Sequence, residues 1–437
     1  MKRSYDFYKW RIWIILSLTF VMSLFHRSAL GVVSDDIART LNLSAIQLGN
    51  LASITFYSYA IMQIPAGILL DVYGYKKVSM FGVVFTGMGS ILLGLSDKIW
   101  MAYGGRLLVG IGTSVIFISV LKAQSIWFSK EQFSKASSKL SFIGNLGGVV
   151  ATFPLAAMAI MLGWRNSFYI MGLACFFVGF MVYKYVYSSP KDVGYNALGD
   201  ENQIKKIKLG YALKRVIRNR ATWRNFFILF SLVGCTTALT GLWGVSYFTS
   251  IYGVNKTTSA FYISFIIYGL VGGSILVGNV EKFLSDPIKT FPRISLIINT
   301  SIWIYILIIE GGKPPIKIVP YLFFIMGVFA MSLILCFTDI KEKVDSLYIG
   351  IATSIVNSGE FVGSSIISIL IGYFLDFNWS GEVSNGIKVY GLVEYKIAFL
   401  IFLVISILGI IMTFIKDKEV GIEENIENCK TASYDSI

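Results

Sequence analysis

One arginine inside an apolar run sets the chemical question. The stretch MSLFHRSALGV, residues 22–32, places Arg27 beside His26, the single histidine among 437 residues. An arginine at such depth in a lipid-crossing helix costs about 2.5–3.5 kcal/mol on insertion scales. Water, a carboxylate or a bound anion must offset that cost. The planar guanidinium fork accepts a carboxylate or phosphate through two parallel hydrogen bonds. No acid lies within a helical turn of Arg27; Asp35 and Asp36 stand roughly two turns further along. Glu360, in VNSGEFVG, is the one acid near the centre of an apolar run. A carboxyl group in that setting can take up and release a proton. His26 projects about 100° around the helix from Arg27. It is either a proton carrier or a packed, hydrogen-bonded neutral ring.

The elements that must position these groups follow from composition. The chain is 55% hydrophobic, 15% aromatic and only 14% charged, with a mean hydropathy of +0.69. Soluble domains carry about 25% charged residues, so lipid is the solvent for much of this surface. The net charge of +13 fits basic loops held beside anionic lipid, and no nucleic-acid-reading motif accompanies it. Cys175, Cys235, Cys336 and Cys429 form no C-x-x-C pair, so neither a disulfide framework nor a metal site is expected. No cofactor is expected, and no nucleophile–base pair, phosphate loop or metal set points to an enzyme.

Hydrophobic runs predict an all-α membrane protein with twelve helices, near 12–33, 48–70, 78–95, 100–121, 140–162, 168–187, 226–249, 259–280, 294–309, 318–337, 348–375 and 396–414. The first run spans about 33 Å, a full crossing and longer than a signal-peptide core. Loops on one side, with both termini, carry about 28 lysines and arginines against about 8 on the other. That places both termini in the cytoplasm. The expected organisation is a six-helix bundle over 1–188, a basic linker over 189–224, a second bundle over 225–416 and a polar tail over 417–437. The linker contains KKIKLGYALKRVIRNR, which suits the membrane surface.

After the second helix comes GILLDVYGYKK, residues 67–77. Gly67 can admit a neighbouring helix, Asp71 can face a helix N-terminus and Gly74 can reverse the chain. Lys76 and Lys77 can anchor the loop at headgroups. This stretch resembles the signature loop of the major facilitator superfamily, secondary transporters of six plus six helices. The resemblance covers essentially the whole chain. It implies that Gly67, Asp71, Gly74, Lys76 and Lys77 form a latch between the two halves. Val72 and Tyr75 stand where the family often has arginine. GRLLVGIGTS, with Arg106, Gly110 and Gly112, resembles a second motif of the superfamily. Arg106 is open to two roles, joining helices or proton coupling. GNLGGVVATFP offers Gly144 and Gly148 for close helix contact. It lacks the Gly-Pro pair of drug/proton antiporters.

The run FYSYAIMQIPAGILLD resembles bacterial permeases for sugar phosphates and hexuronates, and transporters that intracellular bacteria use for amino acids or nucleosides. Sugar-phosphate permeases pair an arginine on helix one with another on helix seven; the seventh run here has none. A singly charged anion or zwitterion fits better. The resemblance implies a cavity lined by helices one, four, seven and ten. The expected solute contacts are Arg27, Lys122, Thr237, Trp243, Tyr247 and Asn357, with Thr236, Thr240, Tyr57, Tyr59, Gln63 and Asn145 as further candidates. Glu360, His26 and Arg106 are the candidates for proton coupling. For each of them interhelical packing or hydrogen bonding is the alternative role. The expected function is transport of a small polar organic solute by alternating access, as a monomer in a bacterial inner membrane, coupled to protons (symport) or to a counter-substrate. Two alternatives remain at this level: efflux of lipophilic compounds, and a transporter-like solute sensor with the basic linker as its output.

Overall fold

The computed structural model describes residues 4–195, 209–280, 284–344, 348–384 and 387–415. The helices are α1 (Tyr5–Leu41), α2 (residues 45–73), α3 (residues 75–94), α4 (Ile99–Trp127), α5 (Lys135–Leu162), α6 (Trp164–Tyr185), α7 (Arg220–Tyr252), α8 (Lys256–Val277), α9 (Pro287–Ile309), α10 (Val319–Lys343), α11 (Ile349–Phe377) and α12 (Leu392–Met412). All but α2 satisfy length and apolarity limits for a membrane span on their own. α2 runs between the same two ends as its neighbours and makes twelve long helices among the described residues. α2 and α3 form one helical run, Ala45–Gly94, broken only at Gly74, where φ is 75° and ψ 160°. That backbone is open to glycine and strained for other residues, so the chain reverses there as its sequence predicts.

Several helices outrun their apolar segments. α1 has 37 residues, about 56 Å, against a hydrocarbon thickness near 30 Å. Hydropathy marks the part in lipid, whereas the helix continues until its caps, Ser4 and the left-handed Asn42. Asp35 and Asp36 are therefore helical. Between the fifth and sixth apolar runs, in LGWRNSF, the helices break at a single residue, Gly163 at φ 82°. Arg165 stays on α6 and donates to the Gly94 carbonyl at 2.7 Å and to Asp97 at 3.1 Å.

Tyr5 and Ile415, near the two ends of the described residues, lie at one end of the bundle, here called the terminal end. There Tyr5 donates to the Trp127 carbonyl and Arg11 to the Tyr185 carbonyl. Of the basic linker, residues 196–208 lie outside the described residues, as does the tail from 416 onward. A short linker helix, Leu209–Arg218, docks on the second bundle. Val216 is buried there, and the Trp223 indole donates to the Ile217 carbonyl.

Within each bundle, small residues let backbones touch. A Cβ on Gly269 of α8 would stand 2.1 Å from the Phe324 carbonyl oxygen of α10. Gly110 and Gly112 of α4 pack the same way on α2 and α3. On α5, Gly144 leaves room for the Phe20 ring of α1 and Gly147 lets the backbone touch that of Val21, while Gly148 turns to Ile267 of α8. A two-residue antiparallel ladder, Val383–Ser384 with Ile387–Lys388, caps the loop between α11 and α12.

Candidate functional site

Arg27 and Glu360 meet. They are 333 residues apart in sequence, on α1 and α11 of different bundles, and Arg27 Nη2 donates to Glu360 Oε1 at 2.6 Å. Their side chains are 15% and 14% exposed, so the pair is largely withdrawn from solvent. Two aromatic rings hold the guanidinium: its carbon lies 4.7 Å from the Phe361 ring centre and 5.5 Å from that of Tyr59. Those rings are 4.0 Å apart, and Phe56 stacks on Phe361. A cation over aromatic faces gains attraction that grows as water is excluded. Arg27 Nε is buried and lacks a hydrogen-bond partner among the described residues. The fork thus keeps donor capacity beyond Glu360.

His26 and Arg106 meet each other inside the first bundle. Arg106 is fully buried and donates through Nη1 to the His26 carbonyl oxygen at 2.9 Å. Thr55 of α2 donates to the Arg106 carbonyl. The His26 ring, also fully buried, places Nδ1 2.8 Å from the Met22 carbonyl. Arg106 therefore fixes the backbone of α1 immediately before Arg27.

The α7 candidates are placed by packing. Trp243 is buried and donates to the Ser368 carbonyl of α11 at 3.2 Å. Tyr247 is buried and donates to the Gly312 carbonyl. Thr236 and Thr240 bond back to carbonyls of their own helix, Leu232 and Thr236. Thr237 is half-buried. Around Leu239–Trp243 the helix widens into a π turn, a local irregularity common at functional sites. Gly31 of α1 abuts it: a Cβ on Gly31 would stand 2.8 Å from the Gly241 carbonyl carbon. Asn357 is half-buried about one turn from Glu360. Tyr57, Gln63 and Asn145 are likewise half-buried. Lys122 lies on α4 roughly 24 Å from Arg106 along the helix, toward the terminal end.

The two bundles are also tied together at the end opposite the terminal end. There Lys256 pairs with Asp36 and Ser246 donates to Asp35 at 2.6 Å. Asp376, near the end of α11, accepts the Ile46 amide at 2.8 Å, while Tyr390 accepts the Ala45 amide. The second bundle thereby supplies caps for the first turn of α2, beside the chain's own Ser44. Lys388 and Tyr390 donate to the other oxygen of Asp376 at 2.9 and 2.8 Å. Burial and that carboxylate push the Tyr390 phenol up, so it stays a donor. A cavity of about 580 Å³ lies between these contacts, with Asp35, Asp36, Arg39, Lys256 and Lys388 in its wall.

The signature loop differs from its expected role in detail. A Cβ at Gly67 would meet nothing within 4 Å among the described residues, so none of their helices approaches there, contrary to the expectation from its type. The side chain of Asp71 lies outside the described residues. Lys76 is half-buried and Lys77 exposed. The anchor is Tyr75, which is 2% exposed. It donates to the Tyr187 carbonyl and accepts the Trp127 indole N–H at 2.6 Å. Tyr75→Phe leaves a buried indole donor without its acceptor, and is expected to lower the stability of the first bundle by about 1–3 kcal/mol. Thermal unfolding of the purified variant measures this; an unchanged midpoint would refute the anchor.

Comparison with known proteins agrees with this architecture. The sequence profile of the Major Facilitator Superfamily matches residues 16–340. A Bacillus subtilis (strain 168) protein described as "Uncharacterized transporter YybO" is 28% identical over 58% of this chain and 60% of its own length. An Escherichia coli (strain K12) "Probable L-galactonate transporter" is 26% identical over 62% of this chain and 61% of its own. The match thus spans about 60% of these relatives' length. Among solved structures, a bacterial homologue of the human lysosomal transporter Spinster superposes with a TM-score of 0.77. It covers 93% of this chain and 96% of that one at 16% identity, a likeness of fold.

Proposed function

The chain belongs to the major facilitator superfamily, and from that premise we propose that it is a secondary transporter for a small organic anion of the sugar-acid class, with Arg27 as the carboxylate-binding group. The observation that carries this reading is the Arg27 fork, buried between Tyr59 and Phe361 and already engaged by a carboxylate across the two bundles. A site that holds Glu360 at 2.6 Å has the geometry to hold a solute carboxylate. The similarity to a protein named as a probable L-galactonate transporter supports the same class.

Movement follows from the arrangement of contacts. The ties between the bundles described above run from Arg27–Glu360 to the opposite end, where Asp36–Lys256 and the Asp376 cap close the path. With the termini cytoplasmic, as the distribution of basic residues favours, this is the state open to the cytoplasm of a bacterial inner membrane. Opening the far end breaks the Asp376 cap. Asp376→Ala removes charge-assisted bonds worth about 1.5–3 kcal/mol each, partly replaced by water. It is expected to raise maleimide labelling of a cysteine placed at Ser246 about tenfold. Unchanged labelling would show that this cap does not hold the end closed.

The direct test of the reading is a thermal-shift screen of the purified protein with sugar acids, sugar phosphates, amino acids, nucleosides and lipophilic cations. A ligand at about 100 times its Kd adds roughly 2.7 kcal/mol of stability. Stabilisation by L-galactonate or other sugar acids is the expected result. Stabilisation by lipophilic cations alone would overturn the anion reading in favour of efflux. Binding of a sugar acid without accumulation in vesicles would indicate a sensor.

A further inference from the structure

We propose that a cavity between α7, α9, α10 and α12, at the terminal end of the second bundle, holds the headgroup of an anionic phospholipid of phosphoglycerol type. The inference stands independently of the anion reading of Arg27. The cavity measures about 400 Å³, and its wall includes Arg224, Lys289, Arg293, Asp339, Thr413 and Phe414. All four helices belong to one bundle, so the cavity lies apart from the contacts between the halves.

Two features of the wall call for an occupant. The first is an acceptor without a donor. Asp339 is 2% exposed, and its Oδ2 accepts from Arg224 and Asn225. Its Oδ1 is buried and has no hydrogen-bond partner among the described residues. A carboxylate oxygen in that position has lost its bonds to water without replacement, so a donor entering the cavity is favoured. The second is a cation without an anion. Arg224 is matched by Asp339, and Lys289 lies 3.5 Å from Asp286. Arg293 has no acid partner among the described residues. Its Nε and Nη2 donate to the hydroxyl and the carbonyl of Thr413 at 3.2 and 3.3 Å, and the Phe414 ring centre lies 4.3 Å from its guanidinium carbon. Those contacts fix the guanidinium in place and leave Nη1 without a hydrogen bond to the described residues. The wall thus has room for one negative charge and one hydroxyl donor.

A phosphoglycerol headgroup brings both. A phosphodiester carries a single negative charge, and arginine binds phosphate through its planar fork while lysine adds a point charge. A glycerol hydroxyl can then donate to Asp339 Oδ1. An ethanolamine headgroup would instead bring an ammonium to an acid already neutralised by Arg224, and a choline headgroup has no donor. The location suits a lipid. α9 begins at Pro287 and α12 ends at Met412, so Lys289, Arg293 and Thr413 stand at headgroup level, where basic pockets between helices take anionic headgroups. Further along, α9 and α12 pack through Leu296 and Gly409, and beside that contact Ile297, Ile304, Leu408 and Ile411 are exposed. Acyl chains have an apolar surface there, which a soluble phosphate ester would not use.

The experiment uses the full-length protein stripped of lipid in a neutral detergent. The probes are phosphatidylglycerol, phosphatidylethanolamine with the same acyl chains, and glycerol 3-phosphate. Native mass spectrometry counts retained lipid, and thermal unfolding reads its effect. The wild type is expected to hold phosphatidylglycerol about tenfold more tightly than phosphatidylethanolamine. Its unfolding midpoint should rise with phosphatidylglycerol and stay unchanged with glycerol 3-phosphate. Arg293→Gln is expected to lower the affinity for phosphatidylglycerol by about tenfold or more. Lys341→Gln, which removes an exposed charge from the terminal end of α10, should leave it unchanged. If Arg293→Gln fails to fold, Lys289→Gln, at a side chain 55% exposed, carries the test with a smaller loss in the same direction. Equal retention of the two lipids, or equal losses in the Arg293 and Lys341 variants, would reduce the effect to general attraction by a basic surface and overturn the proposal. Stabilisation by glycerol 3-phosphate as large as that by the lipid would overturn it in favour of a soluble phosphate ester.

Discussion

Arg27→Ala is expected to abolish sugar-acid binding and uptake. The side chain offers the solute two charge-assisted hydrogen bonds, each worth about 1.5–3 kcal/mol. Losing both weakens binding by at least about 3 kcal/mol, or more than 100-fold. The variant also leaves Glu360 without the cation that holds it across the bundles. It therefore loses an inter-bundle tie in addition to the recognition group. Arg27→Lys separates the two contributions. Lysine keeps the charge but not the fork, and it cannot pack flat against Phe361. It is expected to restore the inter-bundle ion pair while recovering only part of the affinity. The checks are the thermal shift with L-galactonate and uptake in proteoliposomes. An Arg27→Ala protein that still responds to sugar acids as the wild type does would end the case for Arg27 as the anion site.

Asp339→Ala is expected to be the most damaging single substitution for the stability of the second bundle. Arg224, on the first turns of α7, donates to Asp339 Oδ2 at 2.6 Å, and Asn225 donates to the same oxygen. The two charged side chains are 7% and 3% exposed. Removing the acid takes from the Arg224 guanidinium and the Asn225 amide a buried charged acceptor that both share. Breaking a buried pair in this way typically costs about 3–5 kcal/mol. Arg224 also donates to the Ile415 carbonyl, so the loss extends to the end of α12. Asp339→Asn keeps an acceptor oxygen and should cost less. Unfolding of both variants in a graded denaturing detergent measures the difference. Equal stability of Asp339→Ala and wild type would mean that water or another group replaces the carboxylate.

These two predictions concern residues of unequal visibility in the sequence. Arg27 and Glu360 stand out because a charge inside an apolar run is rare and expensive. Their pairing was invisible, because nothing in local sequence relates positions 333 apart. Arg224 and Asp339 were hidden for a different reason. Each lies beyond the edge of its apolar run, where charges are expected in headgroups and loops, and only the folded bundle buries them. Asp35, Asp36 and Asp376 were hidden likewise, since helices outlast the hydrophobic segments that reveal them. Tyr75 occupies a position that the resemblance marks as a departure. Its role depends on Trp127 at the end of α4 and on Tyr187 in the segment just after α6. The signature loop was legible where a backbone requirement is local, as at Gly74, and not at Gly67, whose neighbourhood depends on how the halves are set.

By itself the sequence determined that the chain is a bundle of membrane helices in two sets of six. Hydrophobic length is a local property, and lipid leaves the backbone no alternative to internal hydrogen bonding. It also determined that Arg27, deep in an apolar run, would need a partner. Only the tertiary structure decided who those partners are: Glu360 for Arg27, a backbone carbonyl for Arg106, and the far bundle's Asp376 for the first turn of α2. The physical reason is that desolvation is felt along the chain, residue by residue, whereas its compensation comes from across the fold, from groups the chain brings near only once the helices have packed.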